Sequence, residues 1–336
     1  MLLPSANPPS VSSSCLAARL RAGALAIALL LPGSLAHAIS ADAVEDAALS
    51  DIVGEGREPA VVRLQILLDR ARFSPGAIDG YVGRNLEEAV AAFARAKDLS
   101  ETTLGEAVIE ALARDEGDVL RSHTIAEEDV EGPFRETIPE RYDEMEALDR
   151  LPYRGPAEAL AERFHMDVAL LRMLNPEADF GAAGTEIVVA AVREAPPERR
   201  LARIEVDADR GVLRGYDEDG DLVFFYPATV GSEEMPSPEG THAIEIIVHE
   251  PNWTYDPDGP VRQAGVEEAA IVPPGPNNPV GLVWIGLDEE GYGIHGAPDA
   301  TSVGHAASHG CVRLTNWDAL ELAVLVEAGV SVEFVR

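Results

Sequence analysis

The chain has 336 residues and a formal net charge of −33, from 59 acidic and 26 basic side chains. That charge makes nucleic acid and anionic membrane surfaces poor partners, because a polyanion repels another before contact forms. The length allows two or three domains, and two cysteines, Cys15 and Cys311, are too few for a disulfide framework.

Residues 1–38 read as a secretion signal. Arg19 and Arg21 form a basic start, Ala22 to Leu31 an apolar core, and Ala36-His37-Ala38 a small-residue cleavage site. The apolar run is about half the roughly 20 residues a membrane-spanning helix needs, so no stable membrane insertion is expected after cleavage. An uncleaved anchor is the alternative. Cys15 leaves with the signal, and Cys311 is then the sole thiol.

Residues 59–114 show helical patterning. Val62, Leu64, Ile66, Leu67 and Leu68 place apolar side chains on one helix, and Leu86 to Ala96 forms a second with Val90 and Phe93 inward. Pro75-Gly76 and Asp79-Gly80 turn the chain between them, and a shorter helix runs through Val108 and Leu112. Leu64-Gln65, Phe73, Pro75-Gly76 and Ile78-Asp79-Gly80 resemble the peptidoglycan-binding-like three-helix module. A helical packing module without glycan affinity is the other reading. Residues 115–151 form an acidic linker whose Glu127-Glu128-Asp129 and Glu131-Gly132-Pro133 argue against a packed core.

Residues 152–193 read as a small α/β unit. Glu158 to Phe164 and Val168 to Leu174 are helices, Asn175-Pro176 closes the second, and Glu186 to Val192 is a strand. This order resembles a LysM-like glycan-binding unit, with an ordinary linker domain as the alternative.

Residues 201–336 read mainly as β-structure. Strands are expected at Ala202 to Val206, Val212 to Tyr216, Leu222 to Val230, Ala243 to Val248 and Val280 to Leu287, separated by Asp-Gly and Pro-Glu-Gly turns. One helix follows Thr315, where T-N-W-D has the form of a capping box, and runs from Trp317 to Glu327. A last strand spans Val330 to Val335. The expected fold class is multidomain, with a mainly-β catalytic domain (a β-sandwich or closed sheet with one late helix) preceded by the helical module and the α/β unit.

The segment Gly293 to Leu314 concentrates the chemistry. It holds His295, His305 and His309, three of the eight histidines, together with Cys311. Thiol catalysis needs a sulfur, a base, a group that orients the base and donors for an oxyanion. Cys311, His295, the Gly296 carbonyl and the N–H groups around Gly310 and Cys311 supply them. A thiol beside an imidazolium has its pKa lowered, so an ion pair is expected here. The competing reading is a zinc site from His295, His305, His309 and Cys311. It is weakened by Gly304 and Gly310, which discourage a helix.

Residues 201–336 resemble the L,D-transpeptidase catalytic domain. The motif residues are His295-Gly296 and Ser308-His309-Gly310-Cys311-Val312-Arg313, supported by Pro236 to Thr241, Pro251-Asn252-Trp253 and Gly275 to Gly281. Ala297 departs from the hydroxyl residue often found after the H-G pair, and His305 has no fixed counterpart. The resemblance implies that Cys311 attacks the peptidoglycan stem peptide before its terminal D-alanine and holds the stem as a thioester. His295 would be the base, with His309 and the backbone at Gly310 and Cys311 shaping the oxyanion site. Arg313, Ser308 and Trp253 would bind substrate. It further implies a periplasmic, wall-associated protein with stem peptides and glycan strands as partners, no metal and no cofactor. A water-using L,D-carboxypeptidase of the same fold and a non-catalytic wall-binding protein are the alternatives.

Overall fold

The structure, a computed structural model, describes residues 39–115, 117–194, 199–232, 235–259, 261–305 and 310–336. The proposed signal, Ser308 and His309 lie outside them. Among the described residues no helix is long and apolar enough to cross a membrane.

The N-terminal helices are α1 (Ala41–Glu45), α2 (Pro59–Arg70), α3 (Arg84–Ala96) and α4 (Glu106–Leu112). Pro59 opens α2, where its missing N–H costs nothing. Val61, Leu64 and Leu68 of α2 bury against Leu86, Val90 and Phe93 of α3, as the spacing predicts. Each such side chain contributes roughly 1.5–3 kcal/mol when fully buried.

The stretch read as an unpacked linker is packed. It contains β1 (Leu120–Thr124), α5 (Glu127–Glu131) and α6 (Tyr142–Glu146), and Val119, Ile125 and Leu151 are almost wholly buried. Its buried acid is partnered: Asp129 is 4 % exposed and accepts from the Ala126 N–H, with Arg163 paired to it. After α7 (Pro156–Arg163) and α8 (Val168–Leu174), β2 (Glu186–Ala190) pairs antiparallel with β1. The Asp167 carboxylate accepts from the Leu170 N–H at 3.0 Å and fixes the start of α8.

The C-terminal half contributes β3 (Arg203–Asp207), β4 (Val212–Tyr216), β5 (Leu222–Pro227), β6 (Thr229–Val230), β7 (Gly240–His249), β8 (Trp253–Tyr255), β9 (Ala270–Val272), β10 (Val283–Leu287), β11 (Gly293–His295), β12 (Val312–Arg313) and β13 (Ser331–Val335). The helix α9 (Asn316–Leu325) precedes β13. Among the described residues nine strands join one sheet in the order β5-β4-β3-β13-β7-β10-β11-β12-β6, while β8 and β9 form a separate hairpin. The run expected as one strand from Leu222 to Val230 is two. Pro227, without an N–H, ends β5, and β6 after Ala228 lies at the opposite edge. Consecutive segments therefore form both edges, so the sheet curls almost closed around Ile204, Phe224, Val283 and Ile294. The Thr315 side chain caps α9 by accepting from the Asp318 N–H, but the Asp318 carboxylate turns to Arg193 and Ser74 instead of completing a capping box.

Backbone pairing joins the helical module to this sheet. Phe225 N–H donates to the Arg72 carbonyl and Ser74 N–H to the Phe225 carbonyl, covering the open edge at β5. On its other side, Ile78 exchanges two backbone hydrogen bonds with His165 and Asp167 beside α8.

Candidate active site

Two short parallel strands bring the motif residues together. Ile294 lies opposite Val312 and His295 opposite Arg313, so Cys311, just ahead of β12, falls beside the strand that carries His295. His295, Cys311, Arg313 and Trp253 line one cavity of about 520 Å³. Gly310 holds a φ of +100°, and a Cβ there would lie 2.9 Å from the Tyr292 ring, so the residue before the thiol has to be glycine. The Ser237 hydroxyl donates to the Gly310 carbonyl at 2.7 Å and pins this turn.

His295 is 3 % exposed, and its Nδ1 lies 2.7 Å from the Gly296 carbonyl oxygen. A carbonyl can only accept, so Nδ1 carries the proton and, in the neutral ring, Nε2 holds the lone pair. Trp284 stacks on the imidazole with ring centroids 5.5 Å apart. Asn316 fixes the turn behind it. Its Oδ1 accepts from the Leu282 N–H, and its Nδ2 donates to the Pro276 carbonyl and to Glu162. A Cβ on Gly296 would come within 2.2 Å of that Oδ1, which explains the glycine after His295.

Burial dominates the electrostatics. It pushes His295 down to about 4, with the Gly296 hydrogen bond opposing and Arg313 reinforcing the shift. It also pushes the Cys311 thiol up, against the pull of the Gly293 backbone and Arg313. Burial thus favours the neutral thiol and imidazole over the expected thiolate–imidazolium pair, because desolvation opposes both charged forms. A neutral pair still serves nucleophilic chemistry, since Nε2 can take the thiol proton as sulfur attacks.

His305 does not join this group. It lines a different cavity, of about 210 Å³, with Gln65, Asp79 and Tyr81 of the helical module. The Asn85 amide donates to the Val303 carbonyl nearby. Among the described residues no cluster of three or more His, Cys, Asp or Glu side chains is arranged to hold a metal.

Trp284 in the cleft, Asn316 behind it and Tyr142 on its wall escape the sequence reading. The first two sit in an ordinary apolar strand and helix start. Tyr142 carried a readable signal, since Ile138, Tyr142, Met145 and Leu148 are spaced as one helical stripe within the acidic stretch.

Residues 202–334 match the model of the L,D-transpeptidase catalytic domain, and residues 57–112 match that of a peptidoglycan binding domain. A Bacillus licheniformis protein bearing the name L,D-transpeptidase YkuD is 32 % identical over 177 residues, which cover 52 % of this chain and 90 % of that protein. Escherichia coli K12 YbiS, named as an L,D-transpeptidase, is 30 % identical over 184 residues, covering 54 % of this chain and 60 % of YbiS. The solved catalytic domain of the E. faecium L,D-transpeptidase is 22 % identical, with 41 % of this chain and all of that domain covered, at a TM-score of 0.31. With nine-tenths of the Bacillus protein covered at that identity, this chain belongs to the L,D-transpeptidase family and carries its catalytic domain.

Proposed function

We propose that the protein is an exported peptidoglycan L,D-transpeptidase whose nucleophile is Cys311. The observation that carries this reading is the shared cavity of Cys311 and a His295 whose tautomer leaves Nε2 as the base. As Cys311 Sγ bonds to the carbonyl carbon between the third and fourth stem residues, its proton passes to Nε2. The C–N bond then breaks, the imidazolium returns the proton to the departing amine, and D-alanine leaves with the stem held as a thioester. An amine acceptor attacks the thioester, gives up a proton to His295 and restores the thiol. The Gly296 carbonyl orients His295. The N–H groups near Gly310 and Cys311, with His309, stabilise the oxyanion. Arg313, Ser308 and Trp253 bind the donor, and no cofactor is needed.

The helical module and the 152–193 unit would hold glycan strands in the periplasm. The antiparallel pairing of β2 in that unit with β1 from the preceding 115–151 stretch, with α7 and α8 between them in sequence, supports a LysM-like reading that takes its first strand from outside 152–193. Residues 1–38 act as the signal, 115–151 as the connection and 201–336 as the catalytic domain.

Mass analysis of muropeptides after incubation with disaccharide tetrapeptides tests the reaction. Cross-linked dimers and free D-alanine are expected, and neither with Cys311→Ser. Tripeptide without dimers would replace the amine acceptor with water, and turnover by the serine variant would remove the mechanism.

A further inference from the structure

The segment between β1 and α7 reaches the catalytic cleft. Its helix α6 lies along the β8–β9 hairpin, and its contacts follow that hairpin and the chain beyond it. The Tyr142 N–H donates to Gln263 Oε1 at 2.9 Å, and the Gln263 amide donates to the Glu140 carbonyl at 2.8 Å. Arg141 donates to the Gly265 carbonyl, and the Ile271 N–H donates to Glu146 Oε1 at 2.9 Å. Further on, the Leu151 N–H donates to the Pro274 carbonyl, and Asn277 Nδ2 donates to the Pro152 carbonyl. Met145 and Leu151 bury with Val272 beneath these bonds.

This lacing delivers one side chain to the site. The Tyr142 ring meets Trp253 edge-on and Tyr255 at a tilt, each with centroids 4.8 Å apart. It lines the same cavity as Cys311, His295 and Arg313. Tyr142 lies outside residues 202–334, so the catalytic domain alone does not complete the wall of its own cleft.

We propose that Tyr142 is a substrate-binding residue, presented by the 133–151 arm, that packs against an acyl-donor peptide while Arg313 takes a free carboxylate of that peptide. The proposal rests on the reading of Cys311 as an L,D-transpeptidase nucleophile. The aromatic corner of Tyr142 and Trp253 offers a rigid apolar face, which suits the aliphatic part of a peptide side chain. A carboxylate-bearing ligand meets a chain of net charge −33, and Arg313 is the cation among the described residues that line the cavity.

The test separates binding from chemistry. Calorimetry measures a disaccharide tetrapeptide on full-length Cys311→Ala, alone and combined with Tyr142→Ala, Tyr142→Phe or Glu146→Ala. Loss of the ring is expected to weaken binding about tenfold, the size of a buried aromatic anchor at an interface. Phenylalanine should restore affinity to within about twofold. Glu146→Ala, which cuts an anchor of the arm away from the cavity, should cost less than threefold or so by the same reasoning. Equal affinity with and without the Tyr142 ring, or no binding to Cys311→Ala, overturns the proposal. So does an equal loss in the Glu146 variant, which would reduce Tyr142 to a brace for the hairpin. If Tyr142→Ala does not fold, Tyr142→Leu takes its place. Failure of the wild-type protein to turn the tetrapeptide over, with binding intact, would count against the reaction and leave the Tyr142 contact standing.

Discussion

Two buried polar regions of this protein use desolvation in opposite ways. At the junction of the helical module, the α/β unit and α9, Arg193 has a side chain only 5 % exposed and pairs with Asp69, Asp318 and Glu321. His165 binds Asp69 at 2.8 Å, and the Tyr226 hydroxyl donates to Glu321. Burial alone would raise Asp69, but Arg193 and His165 more than reverse it and hold the carboxyl at about 2. In the cleft, His295 and Cys311 are moved toward their neutral forms. Countercharge turns a dry site into a fixed ionic joint. In the cleft burial outweighs the pull of Arg313 on the thiol and favours the neutral forms of Cys311 and His295.

Substitutions on each side sharpen that contrast. Arg193→Leu should destabilise most, by about 3–5 kcal/mol, because it leaves buried carboxylates without their cation. Urea unfolding measures it, and a loss below about 1 kcal/mol would mean that packing rather than charge holds the joint. In the cleft, His295→Ala should slow acylation of Cys311 roughly 10²-fold, read by stopped-flow. The acid limb of wild-type acylation should fall near pH 4, since His295 keeps its lone pair down to that value. A limb near 6.5 would return the histidine to ordinary solvation. Between 4 and 6.5 the unfolded chain binds the His295 proton and the folded one does not, so this residue lowers stability as pH falls through that window.

Glu162 tests the boundary between the two regions. It accepts from Tyr153 and Asn316, and burial pushes it up to about 7 despite those bonds. Its folded form keeps a proton that the unfolded chain releases above its ordinary value of 4.5. Its contribution is thus full below pH 4.5 and lost as pH rises through 7. Glu162→Gln should remove that decline, on the order of 1–2 kcal/mol between pH 5 and 8, in thermal melts across pH. Parallel curves for the two proteins would refute it. The smallest effect is expected at His305, where alanine should keep acylation within about tenfold of wild type because the ring faces the other cavity.

What the sequence disclosed follows from what is local. The expected bounds of α8, Val168 to Leu174, and of β4, Val212 to Tyr216, match those observed, because apolar spacing and turn residues flank both. His295 and Cys311 were legible as a pair through their glycines, whose need becomes visible only in Asn316 and Tyr292. The protonation state of that pair was not legible, since it depends on burial that no motif records. The Arg193 joint draws its acids from positions as far apart as Asp69 and Glu321, which no short window connects. The packing of residues 115–151 was readable in the spacing of Ile138, Tyr142, Met145 and Leu148, but the many acids around that stripe outweighed it in a reading by composition.

The place of the last strand has a consequence for how the enzyme comes into being. β13 lies between β3 and β7, with Ser331 beside both Arg203 and Ala243. Until Val332 and Phe334 arrive, β3 and β4 have no partner joining them to the strands that carry the cleft. Contacts this distant in sequence close slowly and late. A chain emerging from its amino end therefore presents Cys311 on an unfinished sheet, and the assembled cleft is among the last features to form.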